Sequence, residues 1–123
     1  MSSSPERNTV LIIDDDPDCR EMIAVMAEVW GVPVLQAPEC AKGLQILKRE
    51  QKRIKLILLD YFMPGMEPAL CAASIVALAG AEITVVLMTA AIDPAARAGE
   101  LKLSQCLSKP FEMSTLQNLL TAA

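Results

Sequence analysis

The sequence predicts an α/β domain, a doubly wound parallel sheet with helices on both faces. Two observations carry this. Short runs of β-branched and aliphatic residues recur five times along the chain, and stretches with helical spacing fill the intervals. Strands buried on both faces read as continuous apolar runs rather than alternating ones. Strand-helix alternation builds a parallel sheet because each helix returns the chain to the same end before the next strand.

The first run is Val10-Leu11-Ile12-Ile13, and Asp16-Pro17 then starts a helix, with Asp as N-cap and Pro at the first helical position. Asp18 lies in its first turn, where it complements the helix dipole. Cys19, Met22, Ile23, Met26 and Trp30 share one face, and Gly31 ends the helix. The second run is Val32 to Gln36. Cys40, Leu44 and Leu47 mark the second helix, which runs into a basic segment, Lys48 to Lys55. That segment reads as a solvated helix end rather than a phosphate or nucleic-acid patch. Leu56-Ile57-Leu58-Leu59 is the third run, and a third helix covers 69–79. Thr84 to Met88 is the fourth run. Asp93-Pro94 caps a fourth helix, weakened by Gly99 and expected to be mobile. A weaker run at Cys106-Leu107 and a helix through Met113, Leu116 and Leu120 complete the chain.

The 123 residues are one domain's worth and can bury a core without a metal or disulfide staple. The domain is placed at 9–123, after a polar tail at 1–8 expected to be disordered, with no attached output module. Hydrophobic residues are 53% of the chain and the net charge is -4, so the chain lacks the general positive field that attracts nucleic acid or anionic lipid. We therefore expect neither a nucleic-acid nor a membrane partner. Residues 68–92 carry a single charge, Glu82, but Pro68, Gly80 and Glu82 cut the stretch too short to span a bilayer. There is no histidine, which excludes Ser-His-Asp and Cys-His catalysis and histidine metal sites. The four cysteines form no CxxC pair. They are expected to be free thiols in a reducing cytoplasm, with Cys106 a small buried apolar residue.

Polar residues follow four of the five runs: Asp14-Asp15-Asp16, Asp60, Thr89, and Ser108-Lys109. In an open parallel sheet the ligand crevice lies at the carboxyl ends of the strands. Taken singly, Asp14 or Asp15 could be a turn acid, Thr89 a strand-end hydroxyl and Lys109 a surface cation; their joint placement points to a site. Clustered carboxylates repel, and Lys109 supplies one positive charge. An oxygen-only donor set calls for a hard divalent ion, Mg²⁺ or Mn²⁺. A carboxylate beside such an ion and a lysine can attack phosphorus and form an acyl phosphate.

The segments VLIIDDDPDCR, LILLDYFMPGM, VVLMTA and LSKPF, in this order and spacing, resemble the receiver domain of two-component response regulators over residues 9–122. The resemblance implies a flavodoxin-like five-stranded sheet of order 2-1-3-4-5. It implies that Asp60 is the phosphoacceptor. Asp15, Asp60 and the Phe62 backbone carbonyl would hold Mg²⁺, with Asp14 acting through a water. Thr89, Ala90 and Lys109 would contact the phosphoryl group, and Lys109-Pro110 would be a cis peptide. The donor would be a phosphohistidine on a sensor histidine kinase or a histidine phosphotransfer protein. The signal would leave through the face of helix four, strand five and helix five to a downstream protein.

Several positions depart from that pattern. Glu67-Pro68 stands where the family has Asp-Gly, so the turn into the third helix should differ. The aromatic switch position of the fifth strand holds Cys106. The distance in sequence from Thr89 to Lys109 is slightly short. Phe62 and Ala91 occupy the positions that flank the attacking water, and neither can orient one, so slow self-dephosphorylation is expected. The third helix has no charge at all. It reads as a small-residue helix, or as a docking or self-association surface with Ala72 and Ala73 exposed. Two other functions stand beside the phosphoacceptor: a degenerate receiver that binds partners without phosphorylation, and a haloacid-dehalogenase-like phosphatase with Asp14 as nucleophile and Asp16 as acid.

Overall fold

A computed structural model describes residues 7–90, 93–103 and 105–122. Five strands alternate with five helices: β1 (Thr9–Ile13), α1 (Pro17–Val29), β2 (Val34–Ala37), α2 (Cys40–Glu50), β3 (Ile54–Asp60), α3 (Pro68–Ala79), β4 (Thr84–Thr89), α4 (Pro94–Glu100), β5 (Gln105–Ser108) and α5 (Met113–Thr121). All strand pairs are parallel, in the order β2-β1-β3-β4-β5. The strand order reverses at β1, so the crevice between the ends of β1 and β3 is the place a doubly wound sheet offers to a ligand.

The apolar runs split by alternation into two cores. Leu11, Ile13, Ile57, Leu59 and Leu87 pack with α2, α3 and α4. Val10, Ile12, Leu58, Met88 and Leu107 pack with α1 and α5. Gly43 lets α2 lie close to the sheet: a Cβ there would stand 2.5 Å from Ile13 Cδ1. Ile13 is the last residue of β1, so this contact seats the strand end that carries Asp14.

The helix caps match the sequence. Asp16 accepts from the Asp18 N–H, and Asp93 accepts from the Ala96 N–H. Pro68 stands at the start of α3, so Glu67-Pro68 opens that helix directly. No helix of the described residues is long and apolar enough to cross a membrane.

Several expectations are corrected. β2 begins at Val34 rather than Val32, because Pro33 has no N–H for the ladder and the Val32 N–H closes α1 on the Ala27 carbonyl. The buried line of α1 is Ile23 and Ala27, with Met22 turned outward; small Ala27 is what faces the sheet. Ala72 is fully buried against the α2 side of the sheet, and Ala73 is exposed. Cys106 is exposed, not buried. It is in register with Leu87, on the face opposite Leu107, and at this edge strand the seven-residue α4 leaves it uncovered. Arg7 and Asn8 are not a free tail. Arg7 donates to the Gln51 and Ile54 carbonyls, and the Asn8 N–H donates to the Arg53 carbonyl. Residues 1–6 lie outside the described residues. Finally, Cys40 and Cys71 form a disulfide between α2 and α3, which leaves Cys19 and Cys106 as the free thiols. Nothing local in the sequence signals that pair, because its members lie 31 residues apart.

Candidate functional site: an acidic crevice at the carboxyl end of the sheet

Asp14 follows β1 and is fully buried. The turn into α1 holds its carboxylate, with Oδ1 accepting from the Asp16 N–H at 2.9 Å. Lys109 Nζ donates to Oδ2 at 2.7 Å. Arg20, one turn into α1, donates from Nη1 to the Asp14 carbonyl at 2.7 Å. Asp60 is the last residue of β3 and is buried. Its Oδ1 lies 3.5 Å from Lys109 Nζ. Asp15 is exposed at the mouth. One carboxylate oxygen each from Asp14, Asp15 and Asp60 lie within 4.8 Å of one another.

β4 and β5 bring the remaining residues. Thr89 is buried at the end of β4, and Ala90 follows it, exposed. The Lys109 N–H donates to the Thr89 carbonyl at 2.8 Å, and Lys109-Pro110 is cis. Phe62 is 57% exposed and meets the Tyr61 ring edge-on with centroids 4.8 Å apart. Ala91 lies outside the described residues. The structure thus brings Asp14, Asp15, Asp60, Thr89 and Lys109 to one edge of the sheet.

The electrostatics of the crevice are uneven. Burial alone would raise the Asp14 pKa. The Lys109 hydrogen bond and charge, with the Asp16 N–H, outweigh it and hold the group below the usual carboxylate range. Asp60 is pushed up to about 7, first by burial and then by the Asp14 charge, against which Lys109 is only a partial counterweight. Asp14 therefore keeps its charge and Asp60 bears the cost. Burial would lower the Lys109 pKa, but its two carboxylate partners raise it, so its ammonium persists. Cys19 is pushed up to about 12 by burial and by its hydrogen bond to Asp14.

Sequence reasoning missed Arg20, Cys19 and a cluster beside Phe62. Arg20 could have been found from its place four residues after the Asp16 cap, which returns it to the strand end. In the cluster, the Tyr61 hydroxyl donates to Glu100 Oε2 at 3.3 Å, and Arg97 stands over the Tyr61 ring at 5.5 Å and pairs with Glu100 at 3.0 Å. Tyr61 is 36 residues from Arg97 and 39 from Glu100, so only the fold joins it to that pair.

The fold and this crevice together define a five-stranded doubly wound domain with an acidic site at its topological switch point. The family described as response regulator receiver domain matches residues 10–121. An uncharacterized 14.6 kDa protein of Leptolyngbya boryana is 40% identical over 58 residues, 47% of this chain and 43% of that protein. The chain's match spans less than half the length of the curated relatives. Among solved structures, a response regulator receiver protein from Pseudomonas putida superposes with a TM-score of 0.79 at 24% identity, covering 94% of this chain and 97% of that one. The receiver domain of Ssk1 from Saccharomyces cerevisiae, solved with the histidine phosphotransfer protein Ypd1, gives 0.79 at 18% identity over 94% of this chain and 87% of that one. At these identities the likeness is one of fold. The chain belongs to the response regulator receiver domain family, the phosphoacceptor signalling domains of two-component systems.

Proposed function

We propose that Asp60 is the phosphoacceptor of this domain, taking its phosphoryl group from a phosphohistidine. The observation that carries the reading is the position of Asp60: it ends β3 beside the Lys109 ammonium, with the Asp14 carboxylate, its pKa lowered despite burial by Lys109 and the Asp16 N–H, behind it. An Asp60 carboxylate oxygen attacks phosphorus, the phosphorus–nitrogen bond of the donor breaks, and its electron pair returns to the imidazole. Lys109 faces the charge that gathers on the phosphoryl oxygens, and the Thr89 hydroxyl and the Ala90 backbone hold them after transfer.

The donor set fits Mg²⁺, with Mn²⁺ as a substitute. It consists of oxygens only, and three carboxylates converge with one ammonium. Asp15, Asp60 and the Phe62 backbone carbonyl would hold the ion, with Asp14 acting through a water. The ion would supply charge neutralisation for the transfer. Asp60 must be ionised to attack, and a cation beside it lowers its raised pKa.

The partners proposed are a sensor histidine kinase or a histidine phosphotransfer protein as donor, and a downstream protein on the α4–β5–α5 face. A further docking or self-association surface is proposed on uncharged α3, around exposed Leu70, Ala73 and Val76. Ala73→Glu should weaken such an association, and an unchanged oligomeric state and partner binding would remove it. The domain is placed in the cytoplasm, where a phosphohistidine donor is made from ATP. Exposed Phe62 can shield the phosphoryl group but cannot orient a water, so the acyl phosphate should decay slowly; Phe62→Asn should speed that decay.

A phosphatase in which Asp14 is the nucleophile is disfavoured by its complete burial and by the occupation of both its oxygens. Incubation with Mg²⁺ and acetyl phosphate, read by intact mass, tests the proposal. The wild type should gain one phosphoryl group and Asp60→Asn none. No gain in the wild type would favour a phosphorylation-independent binding module.

A further inference from the structure

Cys40 is the first residue of α2 and Cys71 the fourth of α3. They are bonded, with Cα atoms 6.1 Å apart, and are 3% and 2% exposed. The bond lies at the same end of the sheet as the acidic crevice. Cys40 closely follows Ala37, whose carbonyl accepts from the Asp14 N–H at 3.1 Å. The Cys71 N–H donates to the Glu67 carbonyl at 2.9 Å, at the end of the 61–67 loop that leaves Asp60. The disulfide therefore closes a covalent ring that contains β3, Asp60 and that whole loop.

Of the two cysteines, Cys40 borders a cleft. A cleft of about 460 Å³ opens between the start of α2 and the 64–67 turn. Cys40, Ala41, Pro64, Met66 and Leu70 line it, and Cys71 is not among the lining residues. A thiol entering from solvent meets Cys40 first. The other two cysteines are separate from this pair: Cys19 is hydrogen-bonded to Asp14, and Cys106 is exposed on β5.

We propose that Cys40–Cys71 is a reversible thiol–disulfide site, opened and closed through this cleft, that latches the start of α2 to the start of α3, where the 61–67 loop that leaves Asp60 ends. In opening, the thiolate of a small dithiol bonds to Cys40 Sγ, and Cys71 leaves as a thiolate and takes a proton. The second thiol of the reductant then displaces Cys40 and closes its own disulfide. The protein gains two electrons and two protons, and the dithiol loses them. Oxidised glutathione closes the latch by the reverse exchange and leaves as two molecules of reduced glutathione.

The test uses the whole chain. Protein treated with oxidised glutathione and protein treated with dithiothreitol are alkylated, and their mass and peptides are compared. The oxidised form should carry no alkyl group at Cys40 or Cys71 and should give a linked Cys40–Cys71 peptide, while the free thiols Cys19 and Cys106 carry alkyl or glutathione. Amide exchange over 61–70 should be at least about threefold faster in the reduced form, since the ring no longer restrains the loop. In the single variants, oxidised glutathione should couple to Cys40 in Cys71→Ser, releasing one reduced glutathione, about tenfold faster than to Cys71 in Cys40→Ser. Absence of the linked peptide after oxidation overturns the site. Equal exchange in the two forms overturns the latch, and equal coupling rates overturn entry through the cleft. If a single variant fails to fold, the wild-type comparison still decides the first two points. None of these readouts involves phosphoryl transfer, so their failure is distinct from failure of the Asp60 proposal.

Discussion

Lys109 donates to the Asp14 carboxylate at 2.7 Å across 95 residues of sequence, while the same ammonium stands 3.5 Å from Asp60. One cation thus serves two buried anions, and it serves them unequally. This asymmetry sets the charge state of the crevice and underlies two of the predictions below.

The first concerns pH. The Asp60 carboxyl titrates near 7 in the folded domain and near 4 when unfolded. Between those values the folded state holds a proton that the unfolded state has lost. The stability linked to Asp60 is therefore complete below about pH 4 and is lost as pH rises through 7. Without divalent cations, Asp60→Asn should be more stable than the wild type at about pH 8, by on the order of 2 kcal/mol, and the gap should close near pH 4. Added Mg²⁺ should raise the wild type more than the variant. Thermal melts at both pH values check this, and a gap that does not change with pH would contradict it.

Removing the shared cation should cost more than a surface charge does. Lys109→Met leaves Asp14 buried and unpaired, and truncating one partner of a buried pair costs about 3–5 kcal/mol. Lys109 is one-fifth exposed, which moves the expectation down to about 2 kcal/mol. The loss should shrink on acidification, because protonation relieves the Asp14–Asp60 repulsion. Urea titration at two pH values measures it.

Gly43→Ala should destabilise the domain by about 1–3 kcal/mol, because the new methyl must displace Ile13 inside a packed core. Chemical denaturation gives the value. A change below about 0.5 kcal/mol would mean that Ile13 can turn aside at little cost.

Lys102 holds φ at 60° where α4 ends. The Leu103 N–H donates to the Ala98 carbonyl and the Lys102 N–H to that of Gly99, the pattern of a helix end that favours glycine. Lys102→Gly should therefore stabilise the domain by about 0.5–1 kcal/mol. A thermal melt that shows destabilisation would contradict this reading of the turn.

Much of this protein was legible before folding. Val10–Ile13, Leu56–Leu59 and Thr84–Met88 read as buried strands because both their faces are covered, and the caps Asp16 and Asp93 read from the proline that follows each. The crevice was legible because strand ends in a parallel sheet share one edge, so Asp14, Asp60, Thr89 and Lys109 could be grouped by position alone. What the sequence could not show are contacts between elements whose spacing in the chain carries no signal. The Cys40–Cys71 bond, the exposure of Cys106, the inward turn of Ala72 and the Tyr61–Glu100 contact all depend on how helices settle on the sheet. Local periodicity determines which residues are strand or helix and which strand ends meet. Rotation of each helix about its axis, and the reach of a short α4 over an edge strand, are decided by packing volume, and that is a property of the assembled core alone.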